Sequence, residues 1–413
     1  MLEYTEHCLD NGLRLILHRD VTTPLVSVNL LYDVGSRDED PDLTGFAHLF
    51  EHLMFSGTPD NPSYDTVVNS LGGESNAFTG NDYTDYYITV PAQALPQALA
   101  LEADRMRNLD VSQHNLDVQR QVVTEEYTQR YINQPYGDAW LRLRALAYTV
   151  HPYRWCPIGR DIAHVQNATL GQVRSFYDTY YRPNNAILAI AGNFDPVEAT
   201  ALVHELFAPI APAARPVRHL PVEPDMAEDR RLVLCRDYPS DAVYMAFLTP
   251  ERLHPHFVAC DLLSDILASG TSSYLHERLV RQSACFSEID CCVTADADRG
   301  MLLVYGKVSD DKDHATAERE LHNALLHFVD RPLDEVTLQK VKNKFEANLL
   351  LQHYKALDRA VALCQCASLG DTSLINTEPK RLLAVTHDEV MDMARRLFAS
   401  HSATVVYERK KGV

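Results

Sequence analysis

Two histidines and a glutamate are concentrated in residues 45–55, GFAHLFEHLMF, whose apolar positions recur with helical spacing. His48 and His52 lie four residues apart, so on a helix both imidazoles project from one face about one turn apart. That spacing allows two neutral ring nitrogens to bind one zinc ion. Glu51 shares the face and can reach a water molecule beside the metal. The order His-x-x-Glu-His is the inverse of the commoner His-Glu-x-x-His zinc helix.

The five-residue pattern by itself does not establish a metal site. In a chain with 18 histidines, the odds of a chance match are about one in twenty. The alternative is a structural histidine pair in which Glu51 satisfies one ring nitrogen. Other segments must therefore decide between the two interpretations.

A catalytic zinc site built on two histidines needs a third protein ligand, because such sites usually use three and keep the fourth position open. Residues 113–132 form another amphipathic helical pattern, which contains Glu125 and Glu126. Adjacent helical positions point about 100° apart, so we expect one of these carboxylates, and not both, to face the metal. The spacing does not choose between them.

The elements that must position these residues are a mixture of strands and helices. Apolar, strand-like runs are followed or preceded by long amphipathic helical patterns, which is typical of an α+β domain. In the first half the predicted strands are 13–18, 26–32, 86–90 and 186–191, and the predicted helices are 42–55, 93–108, 113–132 and 170–180.

The chain repeats itself once. RLILHRD at 14–20 corresponds to RLVLCRD at 231–237, and FSGT at 55–58 corresponds to ASGT at 268–271. A proline-rich segment separates the copies. We predict two duplicated α/β-sandwich-like halves of about 200 residues, each a mainly antiparallel sheet covered by helices. The predicted domains are a metal-bearing domain at 1–208, a linker at 209–228 and a domain without a metal site at 229–413.

Composition narrows the class of protein. Hydrophobic residues make up 46% and charged residues 23%, as in folded globular chains. The net charge of -19 argues against a nucleic-acid partner or an anionic membrane surface. No apolar run of about 18 residues predicts a membrane span. Nine scattered cysteines and an N-terminus unlike a signal peptide favour the cytoplasm, or the periplasm if a signal has been removed.

Five segments, in order, resemble the M16 metallopeptidases, the inverzincin family of pitrilysin, insulin-degrading enzyme and the mitochondrial processing peptidase. They are residues 45–58, 71–79 (LGGESNAFT), 82–87 (DYTDYY), 122–126 (VVTEE) and 181–186 (YRPNNA). The resemblance covers nearly the whole chain. The length and two-half layout are similar to those of the shorter, zinc-bearing subunits of the family.

The resemblance implies one zinc ion per chain, with His48, His52 and Glu126 as its ligands. It also implies that Glu51 is the general base that activates a water molecule, and that the chain is a zinc-dependent endopeptidase acting on extended peptides or unfolded segments.

The family binds its peptide substrate by strand addition at an exposed sheet edge, and Asn76, Ala77 and Phe78 match that edge. The alternative for this segment is a buried strand that follows a Gly-Gly turn.

The chain departs from the family pattern in both halves. Gln119 stands where the family has an acidic residue seven positions before the third ligand, so a carboxylate that would orient a ligand is missing. In the second half, Val280 and Phe286 stand where family members carry an Arg and a Tyr directed at the substrate carbonyl. We therefore expect a heterodimer with a second M16-like chain, with a homodimer as the alternative.

Two other functions compete with a peptidase. A non-catalytic M16-like scaffold would not need His48, Glu51, His52 and Glu126. A zinc hydrolase of a non-peptide substrate would need a small closed pocket instead of the strand edge at Asn76.

Overall fold

The computed structural model describes residues 1–215, 217–331 and 333–410 and separates them into two compact units. Unit 1 contains Met1–Tyr127, Trp155–Leu220 and Asn348–Thr377, and unit 2 contains the remaining segments, which begin at Thr128, Pro221 and Glu378. Each unit thus includes one segment from the other half of the sequence. The predicted domains are continuous ranges of sequence, whereas each unit is built from three separate segments. The two divisions therefore differ at the exchanged segments.

The strands are β1 (Thr5–Cys8), β2 (Arg14–Arg19), β3 (Leu25–Tyr32), β4 (Glu74–Thr79), β5 (Thr84–Pro91), β6 (Ala186–Gly192), β7 (Arg230–Arg236), β8 (Ala242–Leu248), β9 (Phe286–Val293), β10 (Met301–Val308) and β11 (Ala403–Arg409). The helices are α1 (Phe46–Leu53), α2 (Tyr64–Ser70), α3 (Leu95–Asn108), α4 (Gln113–Tyr127), α5 (Ala139–Ala147), α6 (Ile162–Gln166), α7 (Leu170–Tyr180), α8 (Pro196–Phe207), α9 (Phe257–Ala268), α10 (His314–Val329), α11 (Glu335–Gln352), α12 (Ala356–Ser368), α13 (Leu374–Ala384) and α14 (His387–Phe398).

The sheet of unit 1 has six strands in the order β1-β2-β6-β3-β5-β4. Strands β2 and β6 are parallel and every other neighbouring pair is antiparallel. Helix α12 packs on one face, where Leu363 and Cys364 join a core with Leu31 and Ile187. Helices α1 and α3 contact strands β3–β5, and the aromatic contacts described below place them on the opposite face.

The sheet of unit 2 has five strands in the order β7-β11-β8-β10-β9. Strands β7 and β11 are parallel and the remaining pairs are antiparallel. This order and these directions match β2-β6-β3-β5-β4 of unit 1 strand for strand. The predicted fold class, two duplicated and mainly antiparallel sheets covered by helices, is confirmed.

The four predicted strands of the first half correspond to β2, β3, β5 and β6, with shifts of one or two residues at their ends. The predicted helix at 42–55 was wrong at its start, because α1 begins only at Phe46. Residues 40–43 form a turn closed by a hydrogen bond from Leu43 N to Asp40 O, and Gly45 adopts a left-handed φ of 91°. The helix predicted at 113–132 ends at Tyr127 and is followed by a π-helical turn.

Across the residues that the structure describes, none of the helices is both long and apolar enough to cross a bilayer.

Candidate metal centre

Three side chains predicted to bind a metal converge in unit 1. His48 and His52 lie on α1, and Glu126 lies near the end of α4, which packs against α1. Glu126 Oε2 is 3.2 Å from His52 Nε2 and 3.6 Å from His48 Nε2. Their candidate ligand atoms all lie within 4.8 Å of one another. The structure therefore brings Glu126 to the histidine pair, whereas the neighbouring Glu125 is exposed on α4.

The spacing of these atoms fits one zinc ion. Ligands bound tetrahedrally at about 2.0–2.1 Å lie about 3.3 Å apart, close to the two measured separations between glutamate and histidine. The donors are two imidazole nitrogens and one carboxylate oxygen, a set that zinc accepts and that leaves one tetrahedral position open. His48 is buried and the other two side chains are about one-fifth exposed, so a water molecule has access to that position.

The carboxylate of Glu51 is held beside this cluster by the end of a strand. Thr79, the last residue of β4, donates a hydrogen bond from Oγ1 to Glu51 Oε2 at 2.5 Å. The bond restricts the Glu51 side chain and ties it to the same strand that carries the predicted substrate edge.

The first turn of α1 is capped by a distant side chain that the sequence analysis missed. Glu39 Oε2 accepts a hydrogen bond from Gly45 N and its Oε1 accepts one from Ala47 N, both at 2.9 Å. Glu39 is only 5% exposed; burial raises its pKa to about 8, although the two N–H donors act in the opposite direction. The first N–H groups of a helix have no partner within the helix, and the two Glu39 oxygens that accept them fix the start of the helix that carries both histidines.

An aromatic layer supports α1 from below. Tyr86 donates a hydrogen bond from its hydroxyl to Phe50 O at 3.1 Å, and the Phe50 ring stacks on Tyr181 with centroids 5.0 Å apart. The Arg105 guanidinium lies 4.6 Å from the Tyr86 ring centroid and is paired with Glu102. All these groups are fully buried. The face of α1 that packs on the sheet is therefore held in place by close contacts.

The predicted substrate residues Asn76, Ala77 and Phe78 lie in β4, which is the last strand of the unit 1 sheet. The alternative, a buried strand that follows a Gly-Gly turn, was wrong, because the residues of β4 are exposed or half-buried. Gly72 has a φ of 71°, and a Cβ on Gly73 would lie 2.7 Å from Val90 Cγ1. The two glycines therefore serve the tight entry into this edge strand.

The two departures from the family pattern also have defined places. Gln119 is half-buried on α4, two turns before Glu126. In unit 2, Phe286 is buried at the start of β9, and Val280 packs against the same apolar core. Neither position presents a polar group, so unit 2 lacks an Arg and Tyr pair at these two positions.

The duplicated sheets and the His–His–Glu cluster together define a metallopeptidase type of scaffold. Residues 14–142 match the family described as "Insulinase (Peptidase family M16)", and residues 167–345 match "Peptidase M16 inactive domain". This chain belongs to the M16 peptidase family.

Named relatives agree with that assignment. The chain is 28% identical over 406 residues to "Zinc protease PqqE" of Helicobacter pylori, covering 97% of this chain and 91% of that protein. It is 30% identical over 408 residues to an "Uncharacterized zinc protease" of Mycobacterium tuberculosis, covering 96% and 91%. The crystal structure of a protease from Helicobacter pylori has a TM-score of 0.94 at 27% identity, covering 99% of this chain and 100% of that chain.

Proposed function

We propose that this chain is a zinc-dependent endopeptidase that cleaves extended peptides or unfolded segments. His48, His52 and Glu126 would hold one zinc ion, and Glu51 would act as the general base. The observation that carries the proposal is the convergence of the three ligand atoms within 4.8 Å. It is supported by the Thr79 bond that holds Glu51 at the end of β4.

A bound zinc ion would supply a Lewis acid for the peptide carbonyl and lower the pKa of a water molecule toward about 7. The Glu51 carboxylate would accept a proton from the attacking water and deliver it to the leaving amine. The backbone of β4 would hold the substrate as an added strand, so that main-chain hydrogen bonds position the peptide independently of its sequence.

The test is cleavage of a mixed-sequence quenched peptide pool by the purified, zinc-loaded chain and by Glu51→Gln. We expect the wild type to cleave and Glu51→Gln to lose nearly all activity while its zinc content, measured by atomic emission, stays at one ion per chain. Glu125→Gln is the matched control, because it makes the same change at the exposed residue of α4 next to Glu126. Cleavage by Glu51→Gln at the wild-type rate would contradict the role of this carboxylate.

A heterodimer with a second M16-like chain belongs to the same proposal, with a homodimer as its alternative. It is supported by the apolar environment of Val280 and Phe286 in unit 2, which leaves those positions without a donor for the substrate carbonyl. A non-catalytic subunit is the second candidate function, favoured by the same observation. If the zinc-loaded chain alone is silent on every peptide, co-purification of a partner and recovery of cleavage would distinguish the two.

We also propose that the chain works in a reducing compartment, the cytoplasm. Its nine cysteines are odd in number and scattered along the sequence, which does not resemble the disulfide framework of a protein from an oxidising compartment. Cell fractionation with an antibody against the chain tests this location, and recovery in a periplasmic fraction would overturn it.

A further inference from the structure

A pocket of about 330 Å³ opens in unit 1 beside the edge strand β4. Phe78 of β4 and Tyr87 of β5 form one wall. Leu357, Asp358 and Val361 of α12 form the other, and His353 lies at the end of α11. The lining residues that the structure describes therefore combine aromatic and aliphatic surface with one carboxylate and with the side-chain amides of Gln352 and Gln365.

The pocket lies on the face of the sheet opposite the metal centre. Successive residues of a strand point to opposite faces, and Thr79 points to Glu51 on the α1 face. Phe78 therefore points to the other face, the one that α12 covers. Phe78, which lines the pocket, is the neighbour in sequence of Thr79, which holds the proposed general base Glu51.

A peptide added to β4 would place alternate side chains on these two faces. Residues directly opposite each other on neighbouring strands share a face. The substrate residue opposite Phe78 would therefore direct its side chain away from the metal and toward α12. The pocket is the space that this side chain would meet.

The carboxylate of Asp358 lies in the pocket lining, whereas two cationic groups, Arg359 and the N-terminal ammonium, lie close to His353 but outside the lining. Among the residues that the structure describes, Asp358 takes part in no ion pair. The neighbouring Arg359 is paired with Asp20 instead. Burial lowers the pKa of His353, so its imidazole is neutral at pH 7. Burial raises the pKa of Tyr87, and the carboxylates of Glu74 and Asp358 add to the rise.

We propose that this pocket selects a basic side chain, Arg or Lys, at the substrate residue that pairs opposite Phe78. The aliphatic stem would pack on Leu357 and Val361, because the stems of Arg and Lys bury readily against apolar surface. The cationic end would meet Asp358 and lie close to the Phe78 and Tyr87 rings, an arrangement that attracts a cation further. The inference rests on the proposed function, since it uses the same strand-addition mode of binding.

The experiment uses a set of quenched peptides in which one Arg is moved along a scaffold that has norleucine at the tested positions. Wild type gives kcat/KM for each peptide, and Glu51→Gln gives the Kd of the uncleaved peptide. At one position we expect Arg to exceed norleucine by about tenfold in kcat/KM and in affinity. In Asp358→Asn that ratio should fall close to one, and Asp358→Glu should restore part of it.

Asp10→Asn is the matched control, because it removes one exposed carboxylate of unit 1 outside the pocket lining. It should keep the Arg preference, and an equal loss in Asp10→Asn would attribute the effect to overall charge and overturn the pocket. Equal cleavage of all peptides by wild type would overturn the pocket and leave the peptidase intact. If neither the chain alone nor the chain with its co-purified partner cleaves any peptide, the proposed function fails. Equal Kd values for Arg and norleucine peptides would overturn the pocket separately.

Discussion

At the scale of single residues, the metal centre depends on which of two adjacent carboxylates reaches the histidines. Glu126 Oε2 lies 3.2 Å and 3.6 Å from their Nε2 atoms, and Glu125 is exposed. Even residues that only orient a metal ligand change zinc affinity by about 10- to 100-fold when they are lost. We expect Glu126→Gln to weaken zinc binding by about 100-fold or more, measured by competition with a chromophoric chelator. Glu125→Gln should bind as the wild type does, and equal losses would contradict Glu126 as a ligand.

A second residue, Asp85, makes stability depend on pH. It is fully buried in β5 and accepts a hydrogen bond from Asn29 Nδ2 at 2.8 Å. Burial raises its pKa to about 8, well above the ordinary value of an aspartate in an unfolded chain. The folded state therefore retains a proton that the unfolded chain has lost, and stability falls as pH rises through the interval between these values.

Between pH 6 and pH 9 this residue should remove about 3 kcal/mol of stability from the wild type. Asp85→Asn keeps an acceptor for Asn29 and cannot ionise, so its melting temperature should fall less across the same interval. Glu39, whose pKa is also raised to about 8, titrates in both proteins and cancels in the comparison. An equal fall in melting temperature between the two pH values for wild type and Asp85→Asn would show that ionisation of Asp85 does not destabilise the fold.

The sequence contains enough information to predict His48, Glu51 and His52 as one cluster, because a single helical turn brings them together. It narrows the third ligand to two adjacent residues, and the choice of Glu126 came from family resemblance. Glu39 and Thr79 were not predicted, since each reaches the site across a separation in sequence that no local spacing encodes. The roles of all these residues in binding and catalysis stay predictions.

At the scale of elements, α1 depends on a loop for its first turn. Glu39 accepts both the Gly45 and Ala47 N–H groups, and Gly45 itself has no side chain with which to cap the helix. Leaving such donors buried without an acceptor costs about 1–3 kcal/mol each. We expect Glu39→Ala to lower the melting temperature by several degrees and to weaken zinc binding. Glu39→Gln, which keeps one acceptor oxygen, should lose less.

These two variants also separate the cap from the carboxyl group itself. Because burial of this carboxyl is unfavourable to its charged form, the amide of Gln avoids that cost. A larger fall in melting temperature for Glu39→Gln than for Glu39→Ala, in thermal melts of the two purified proteins, would contradict the capping role.

Elements were predicted well where apolar residues form a continuous run or recur with helical spacing, and less well at their ends. Strands β2, β3, β5 and β6 follow from their apolar runs. The start of α1 was placed too early, since the turn before Gly45 contains residues that are also acceptable in a helix. The edge position of β4 could not be predicted from its own residues, because it depends on the order in which distant strands pair within the sheet.

At the scale of the whole molecule, all three proposed metal ligands lie in unit 1. A ligand that binds only the folded state stabilises the part of the structure that it holds together. We expect zinc to increase hydrogen-exchange protection at α1 and α4 and to leave β7–β10 of unit 2 unchanged, as measured by mass spectrometry with and without the ion. Equal protection throughout both units would show that metal binding acts on the chain as one cooperative body.

The segment exchange between the units has a consequence for how the chain can be divided. Helix α12 comes from the C-terminal part of the sequence, yet it supplies Leu363 and Cys364 to the unit 1 core. A gene shortened to residues 1–208 would encode the proposed metal ligands on a sheet with one apolar face exposed to water, including Leu31 and Ile187. Such a product should aggregate in the host cell. Two open reading frames split within 209–228 and expressed together would supply the missing helix in trans, as in a split reporter.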